Sequence, residues 1–335
     1  METLQFTKHD GLGNDFLIAL LSNDEKAALD ARGLDWAGLA ERVCNRHSGI
    51  GADGLVLGIG PTWSTPTWYE SAVNGSSCPG GSATARMVLY NSDGSRAGMS
   101  GNGSACLANA VASAREPWSL RIDDFSEAYL DVELNTDSGT RSVRWRSPCM
   151  KSNDGEPVPL DTHIDVIMPT VKAGPKICPA LDELISETFG GGARGTGDVG
   201  NPHLVIATGR KMDAGETERL GASYQEHFVD GINVEFVWPV NGASPSERGT
   251  SSSLGMSVWE RGAGLTKACG TGAVVSAIRA REWGLVRDEI FTSVLMTGGL
   301  ATVAQAGPTD PPVLQVWADH VGDYEWPLRG PWLDS

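Results

Sequence analysis

The chain is short of positive charge: 26 lysines and arginines stand against 42 aspartates and glutamates, a formal net charge of −16. Such a surface repels phosphate backbones and anionic headgroups, so neither nucleic acid nor a membrane is an expected partner. An anionic substrate is still allowed, because a few local donors can hold a carboxylate inside an acidic protein. Long apolar runs are missing too. Met1–Asp10 has no basic region leading into an apolar stretch, and Phe16–Leu21 is far too short to span a bilayer. A cytoplasmic location without a signal peptide is therefore expected. The six cysteines (Cys44, Cys78, Cys106, Cys149, Cys178 and Cys269) form no C-x-x-C pair, which suits free thiols in a reducing compartment. The six histidines form neither H-x-x-x-H nor H-x-H, so no metal site is expected. A Walker A sequence is absent. Gly49–Gly54 fits G-x-G-x-x-G, but a helical stretch precedes it and a strand follows, the reverse of what a dinucleotide site needs.

Glycine is abundant, at 42 of 335 residues, well above the usual share of about 7%. The length suits roughly two domains of about 150 residues. β-type runs occur at Leu4–Lys8, Leu55–Ile59, Met87–Asn91, Tyr129–Leu134, Ile164–Met168, Leu204–Ala207, Ile232–Trp238, Met256–Glu260 and Val313–Ala318. Helical stretches are Trp36–Asn45, Asn102–Arg115, Leu181–Thr188 and Thr271–Trp283. This mixture without a strict βαβ rhythm predicts an α+β protein with largely antiparallel sheets. Pro61–Ala83 and Asn241–Gly255, both rich in small polar residues, read as surface insertions.

An internal repeat carries the most information. Residues 100–108 read SGNGSACLA and residues 269–277 read CGTGAVVSA, 169 positions apart. Each follows a strand and a glycine-containing turn, and each opens an apolar helix. A duplicated domain follows, with two helix N-termini in equivalent positions that face each other across a cleft. A helix N-terminus is an anion site, because its first N–H groups are free and the dipole is positive there. Two such ends would hold a carboxylate and stabilise negative charge on the adjacent carbon once its proton has left. Cys269, at the first residue of one turn, should have its thiolate favoured, moving its pKa from about 8.5 toward neutrality. It is a candidate acid/base or nucleophile, set against the usual fate of a free cysteine as a small core residue. Ser100 holds the matching position, where serine is also a common helix cap. It lacks the G-x-S-x-G spacing of a nucleophile elbow.

The blocks GLGNDF (Gly11–Phe16), NSDGS with SGNG (Asn91–Ser95, Ser100–Gly103), GNPH (Gly200–His203) and ERGAG with ACGTGA (Glu260–Gly264, Ala268–Ala273) occur in order along the chain. Together they resemble the diaminopimelate epimerase family. The resemblance implies two pseudo-symmetric domains, each a β-barrel-like sheet around a central helix, a fold shared with proline racemase and the phenazine-pathway isomerase. It places the N-terminal half at 1–158, joined by the C-terminal segment 319–335, and the C-terminal half at 159–318. It also implies cofactor-independent conversion of LL- to meso-diaminopimelate, a step toward lysine and peptidoglycan precursors. One base removes the α-proton and another returns it on the opposite face.

Carried over by position, Cys269 matches the second catalytic cysteine and Ser100 stands where the family has the first. Asn14, Asn91, Asn201, Asn233 and Arg261 match residues holding the distal amino-acid end, and Glu260 the residue that meets a substrate ammonium. Gly101, Asn102, Gly270 and Thr271 match the turns gripping the reacting carboxylate, and His203 lies near the reacting centre. The implied partner is a small-molecule amino acid, with a homodimer left open. Ser100 admits three readings: an epimerase whose first cysteine was replaced, a natural Ser/Cys variant acting as racemase, epimerase or dehydratase on another amino acid, or a silent amino-acid-binding homologue.

Overall fold

The computed structural model describes residues 3–60, 80–114, 126–151, 157–159, 163–240, 253–287 and 289–328. Most of the two expected insertions, residues 61–79 and 241–252, therefore lies outside the described residues, as does Cys78. The chain divides into two compact units, residues 1–166 with 316–335, and residues 167–315. No helix among the described residues is long and apolar enough to cross a membrane.

The first unit opens with β1 (Thr3–Gly11) and β2 (Asn14–Ser22), followed by α1 (Asn23–Ala31), α2 (Trp36–Val43), β3 (Gly54–Gly60), β4 (Gly80–Asn91) and the short β5 (Arg96–Ala97). Next come α3 (Gly101–Ala114), β6 (Ser126–Thr136), β7 (Gly139–Lys151), β8 (Pro157–Pro159) and β9 (His163–Ile167). β1 pairs antiparallel with β2, β2 parallel with β3, β3 antiparallel with β4, β4 parallel with β6, and β6 antiparallel with β7, which continues antiparallel to β9.

The second unit contains α4 (Pro179–Phe189), β10 (Arg194–Asp198), β11 (Pro202–Ala207), α5 (Ala214–Gln225), β12 (Asn233–Pro239), β13 (Ser253–Glu260) and β14 (Gly264–Thr266). It continues with α6 (Gly270–Glu282), β15 (Phe291–Met296), β16 (Gly299–Ala304) and β17 (Val313–Trp317). Its pairings repeat the first unit step for step: β10 antiparallel to β11, β11 parallel to β12, β12 antiparallel to β13, β13 parallel to β15, then β15, β16 and β17 antiparallel in turn. The final strand, β18 (Asp319–Pro327), returns to the first unit and pairs antiparallel with β1. Duplication thus holds in topology as well as in the nine-residue motif. The sheets are largely antiparallel, as expected, with two parallel pairings in each unit.

One helix sits inside each sheet. α3 has no charged residue and is buried from Gly101 through Ala112, the signature of a helix enclosed on all sides. It packs on β1, β2, β3, β6, β7 and β18, and α6 likewise packs on β10, β11, β12, β13, β15 and β16. The outer faces of the β2–β3 and β11–β12 pairs are covered as well. Leu29, Trp36, Leu39 and Val43 of α1 and α2 share a core with Leu17, Leu21, Leu55 and Leu57. Leu181, Ile185, Leu220 and Tyr224 do the same for Leu204, Ile206, Val234 and Phe236. Every residue of β3 is consequently buried, as expected of a strand covered on both faces.

A buried polar network pins α3. The Asn109 side-chain amide donates to His9 Nδ1 (3.1 Å) and to the Ala318 carbonyl (2.9 Å), while its Oδ1 accepts the Trp145 indole N–H (2.9 Å). His9 Nε2 meets Thr7 Oγ1 at 2.9 Å. Burial, reinforced by nearby His320, lowers the His9 pKa to about 3, so the ring is neutral and serves as one donor and one acceptor.

Candidate active site

The matching pairings give each predicted site residue a counterpart. In the first unit, Phe16 lies across from Gly54 and Gly54 across from Asn91. In the second, His203 lies across from Asn233, and Val234 across from Trp259, which brings Asn233 beside Glu260 at the strand end. Asn14 and Asn201 each stand two residues before this register. Asn91 and Glu260 each close their strand nine residues ahead of Ser100 and Cys269. Within each unit, the predicted residues therefore collect at one end of three adjacent strands and at the first turn of the enclosed helix.

In the first unit, a two-residue turn, Leu12–Gly13, leads into Asn14. Both turn residues have positive φ, 58° and 78°, the geometry that matches strand twist in a tight hairpin. Leu12 is a bulky residue to find there, and its side chain is buried. Packing pays the backbone cost. Asn91 is exposed; its side-chain amide donates to Ser95 Oγ at 2.9 Å. Ser100 Oγ accepts the Gly103 N–H at 3.0 Å, and its carbonyl accepts the Ser104 N–H at 2.9 Å. Asn102 is buried, and its Oδ1 has no hydrogen-bond partner. Cys106, deeper in α3, is fully buried, and burial pushes its thiol well above the ordinary value.

The second unit carries the denser cluster. Cys269 Sγ accepts the Gly272 N–H at 3.4 Å, and its carbonyl accepts the Ala273 N–H at 2.9 Å. Thr271 Oγ1 lies 3.3 Å from Cys269 Sγ and accepts the Asn201 amide, also at 3.3 Å. The Glu260 carboxylate accepts the Thr266 hydroxyl and interacts with the Cys269 thiol. Asn233 Oδ1 accepts the Arg261 backbone N–H at 2.8 Å, while the exposed Arg261 side chain donates through Nη1 to the Asp230 carbonyl at 2.9 Å. His203 Nδ1 pairs with Glu235 Oε1 at 2.6 Å, both side chains fully buried. The N–H groups of Gly270 and Thr271, first in α6, have no acceptor within the helix.

Electrostatics reverse one expectation. The helix end alone favours a Cys269 thiolate. Burial pushes the thiol well above its ordinary value, and Glu260 and Glu235 push it further. The helix end and the Thr271 hydroxyl act in the opposite direction and lose. Burial also raises the Glu260 carboxyl, and Glu235 adds to this, while Thr266, Cys269 and His203 oppose it. Cys269 rests as a thiol, and a proton acceptor or substrate charge must draw its proton away.

Sequence reasoning missed Glu235. The available signal was a lone carboxylate in the middle of the apolar run Ile232–Trp238. Polar atoms of His203, Glu235 and Cys269 lie within 4.8 Å of one another. By donor type these are the described residues able to hold a metal ion, although the His203–Glu235 hydrogen bond already uses one donor atom of each.

The diaminopimelate epimerase family model matches residues 6–157 and 196–312. The chain belongs to the diaminopimelate epimerase family. It is 31% identical to the diaminopimelate epimerase of Xanthomonas campestris pv. campestris over 96% of each chain. It is 28% identical to that of Prochlorococcus marinus over 94% of this chain and 98% of the relative. Among solved structures, a hydroxyproline epimerase from Agrobacterium vitis superposes with a TM-score of 0.58 at 15% identity, covering 98% of this chain and 94% of the other. That likeness establishes the α+β fold. Family membership makes the protein an isomerase of the epimerase type.

Proposed function

We propose that the protein interconverts LL- and meso-diaminopimelate by α-proton transfer without a cofactor, with Cys269 as the acid/base group of the second unit. The observation that carries this reading is the Cys269 turn: a capped helix N-terminus with free N–H groups at Gly270 and Thr271, bordered by Glu260 and Arg261. Those N–H groups suit the substrate carboxylate and the charge that builds on it when the α-carbon loses its proton. Glu260 suits the ammonium, and Arg261, with Asn233 beside it, suits a distal carboxylate in bidentate fashion. Asn14, Asn91 and Asn201 supply neutral donors and acceptors for the remaining polar groups.

Inversion needs a second group for the opposite face of the carbon. We assign that role to Ser100, the counterpart of Cys269 in the repeat of the first unit. An unassisted hydroxyl is a poor base near neutrality, and losing a general base costs about 10²–10⁴-fold in rate. Slow epimerisation is the expected outcome, with Cys269 still exchanging the α-proton of one stereoisomer. The test is α-proton exchange in D₂O by proton NMR, comparing diaminopimelate with proline, hydroxyproline and amino acids bearing a β-leaving group. Exchange confined to diaminopimelate supports the reading. Exchange only from another amino acid replaces the substrate, and ligand-induced stabilisation without any exchange makes the chain a binder.

A further inference from the structure

At one buried place beside the Cys269 turn, the two units carry different chemistry. Superimposing their registers puts Phe16 of β2 where the second unit has His203, and Val56 of β3 where it has Glu235. The antiparallel neighbours agree: Val56 lies across from Leu89 and Glu235 across from Val258, again 169 residues apart. Phe16 and Val56 are buried apolar residues. The fold position therefore accepts an ordinary apolar pair, whereas burying an imidazole and a carboxylate costs desolvation that only good pairing offsets. The polar pair in the second unit has a reason other than folding, and it lies beside the one cysteine that heads an enclosed helix.

Its geometry supplies the reason. Glu235 Oε1 holds His203 Nδ1 at 2.6 Å, while His203 Nε2 and Glu235 Oε2 are buried without a hydrogen-bond partner. The turn bearing Cys269 is seated directly on this carboxylate: a methyl group added at Gly272 would lie 2.5 Å from Glu235 Oε1. At the equivalent Gly103, the nearest atoms to such a methyl belong to Met87 and Ser100, at 3.2 Å.

We propose that Glu235 is a positioning residue, fixing His203 in the tautomer and orientation in which Nε2 exchanges a proton with the Cys269 thiol. This rests on the epimerase reading of Cys269. In the exchange, the S–H bond breaks as an Nε2–H bond forms, leaving a thiolate beside an imidazolium whose Nδ1–H remains on Glu235. The thiolate then takes the substrate α-proton: the C–H bond breaks, its electron pair stays on the α-carbon and carboxylate, and the S–H bond forms again. After that thiol proton has exchanged with solvent, its return to the carbon regenerates the thiolate, and the Nε2 proton passes back to the sulfur, restoring the starting state. A carboxylate behind an imidazole serves serine and cysteine hydrolases in the same way. Among the described residues, the charged and titratable groups facing His203 are Glu235 from β12, Glu260 from the end of β13, and Cys269 from the α6 turn. Gly197, across from it on β10, carries no charge.

The test combines two readouts on the full chain. The first is the pH at which iodoacetamide begins to alkylate Cys269, followed by peptide mass spectrometry. The second is kcat and KM for α-proton exchange from diaminopimelate. For Glu235→Gln we expect the alkylation midpoint to move to higher pH and kcat to fall about 10²-fold, with KM nearly unchanged. Glu235→Asp should recover part of both. A carboxylate acting only by its charge would give the opposite sign, because removing a negative neighbour eases thiolate formation and lowers the midpoint. A merely structural role would leave the midpoint unmoved. Either result overturns the proposal.

Glu235→Val with His203→Phe, which copies the first unit, should fold and melt cooperatively yet show the same raised midpoint. If it retains the parent midpoint, the proposal also falls. Should the parent chain exchange no proton from diaminopimelate while Glu235→Gln still raises the midpoint, the substrate reading fails and the positioning role stands.

Discussion

Ser100 and Cys269 hold the same position in two copies of one strand–turn–helix unit. Each side chain accepts the N–H of the third helical residue, Gly103 at 3.0 Å and Gly272 at 3.4 Å. Each carbonyl accepts the N–H of the next residue at 2.9 Å. The serine and the cysteine serve the helices equally well as caps. They differ in chemistry, because a thiol can be drawn into its ionised form near neutral pH and an unassisted hydroxyl cannot.

Exchange should therefore depend on the sulfur of Cys269 and not on its capping role. Cys269→Ser keeps an oxygen acceptor for the Gly272 N–H, so the melting temperature should change little. Exchange of the α-proton, followed by NMR in D₂O, should fall by at least about 10²-fold. Retained exchange would move the acid/base role to another group.

Arg261 is exposed and anchored through its own backbone N–H to Asn233 and through Nη1 to the Asp230 carbonyl. Arg261→Met removes the fork that suits a distal carboxylate. The expected result is a KM for diaminopimelate raised about 10- to 100-fold, the scale of a charge-assisted contact, with kcat far less affected. A change in kcat alone would place Arg261 outside distal recognition.

Gly272 has no room for a side chain, since a methyl there would press on Glu235 Oε1, whereas Gly103 faces more distant neighbours. Gly272→Ala should destabilise the protein by about 1–3 kcal/mol, the usual cost of overpacking, and should lower exchange by displacing the carboxylate. Gly103→Ala should cost less. Chemical denaturation of the two variants checks the order.

Acid should weaken the first unit through His9. Its folded pKa of about 3 lies below the ordinary 6.5, so between those values the unfolded chain binds the extra proton. The stability it contributes is complete above about pH 6.5 and is lost as pH falls toward 3. In His9→Gln, denaturation midpoints measured from pH 7 to 4 should fall less steeply than in the parent. An equal slope would assign the acid sensitivity elsewhere.

Much of this architecture is legible in the sequence, and the illegible parts have physical causes. The repeat at 100–108 and 269–277 is visible because a helix N-terminus and an enclosed apolar helix each impose residue types locally. Strands such as β3 and β12 stand out as β-branched runs. β10 was invisible because its sequence, RGTGD, reads as a loop; Gly197 is small there because Val275 of α6 packs where its side chain would be. α1 and α5 were missed because polar residues dominate their exposed faces. The parallel pairings depend on which strands become neighbours after a helical crossover, and no local pattern reports that. The same holds for the thiol state of Cys269. The helix end, a local feature, points toward a thiolate, while burial and the carboxylates of Glu260 and Glu235, brought in from β13 and β12, decide against it.

The central claim is that Cys269 moves the α-proton of diaminopimelate and that Ser100 limits inversion. The most direct measurement follows α-proton loss from LL- and meso-diaminopimelate separately in D₂O, for this chain and for Ser100→Cys. The account predicts exchange from one isomer without efficient inversion in this chain. It predicts interconversion of both isomers in Ser100→Cys, faster by about 10²–10⁴-fold. If neither form exchanges either isomer, or if Ser100→Cys brings no gain, the account is contradicted.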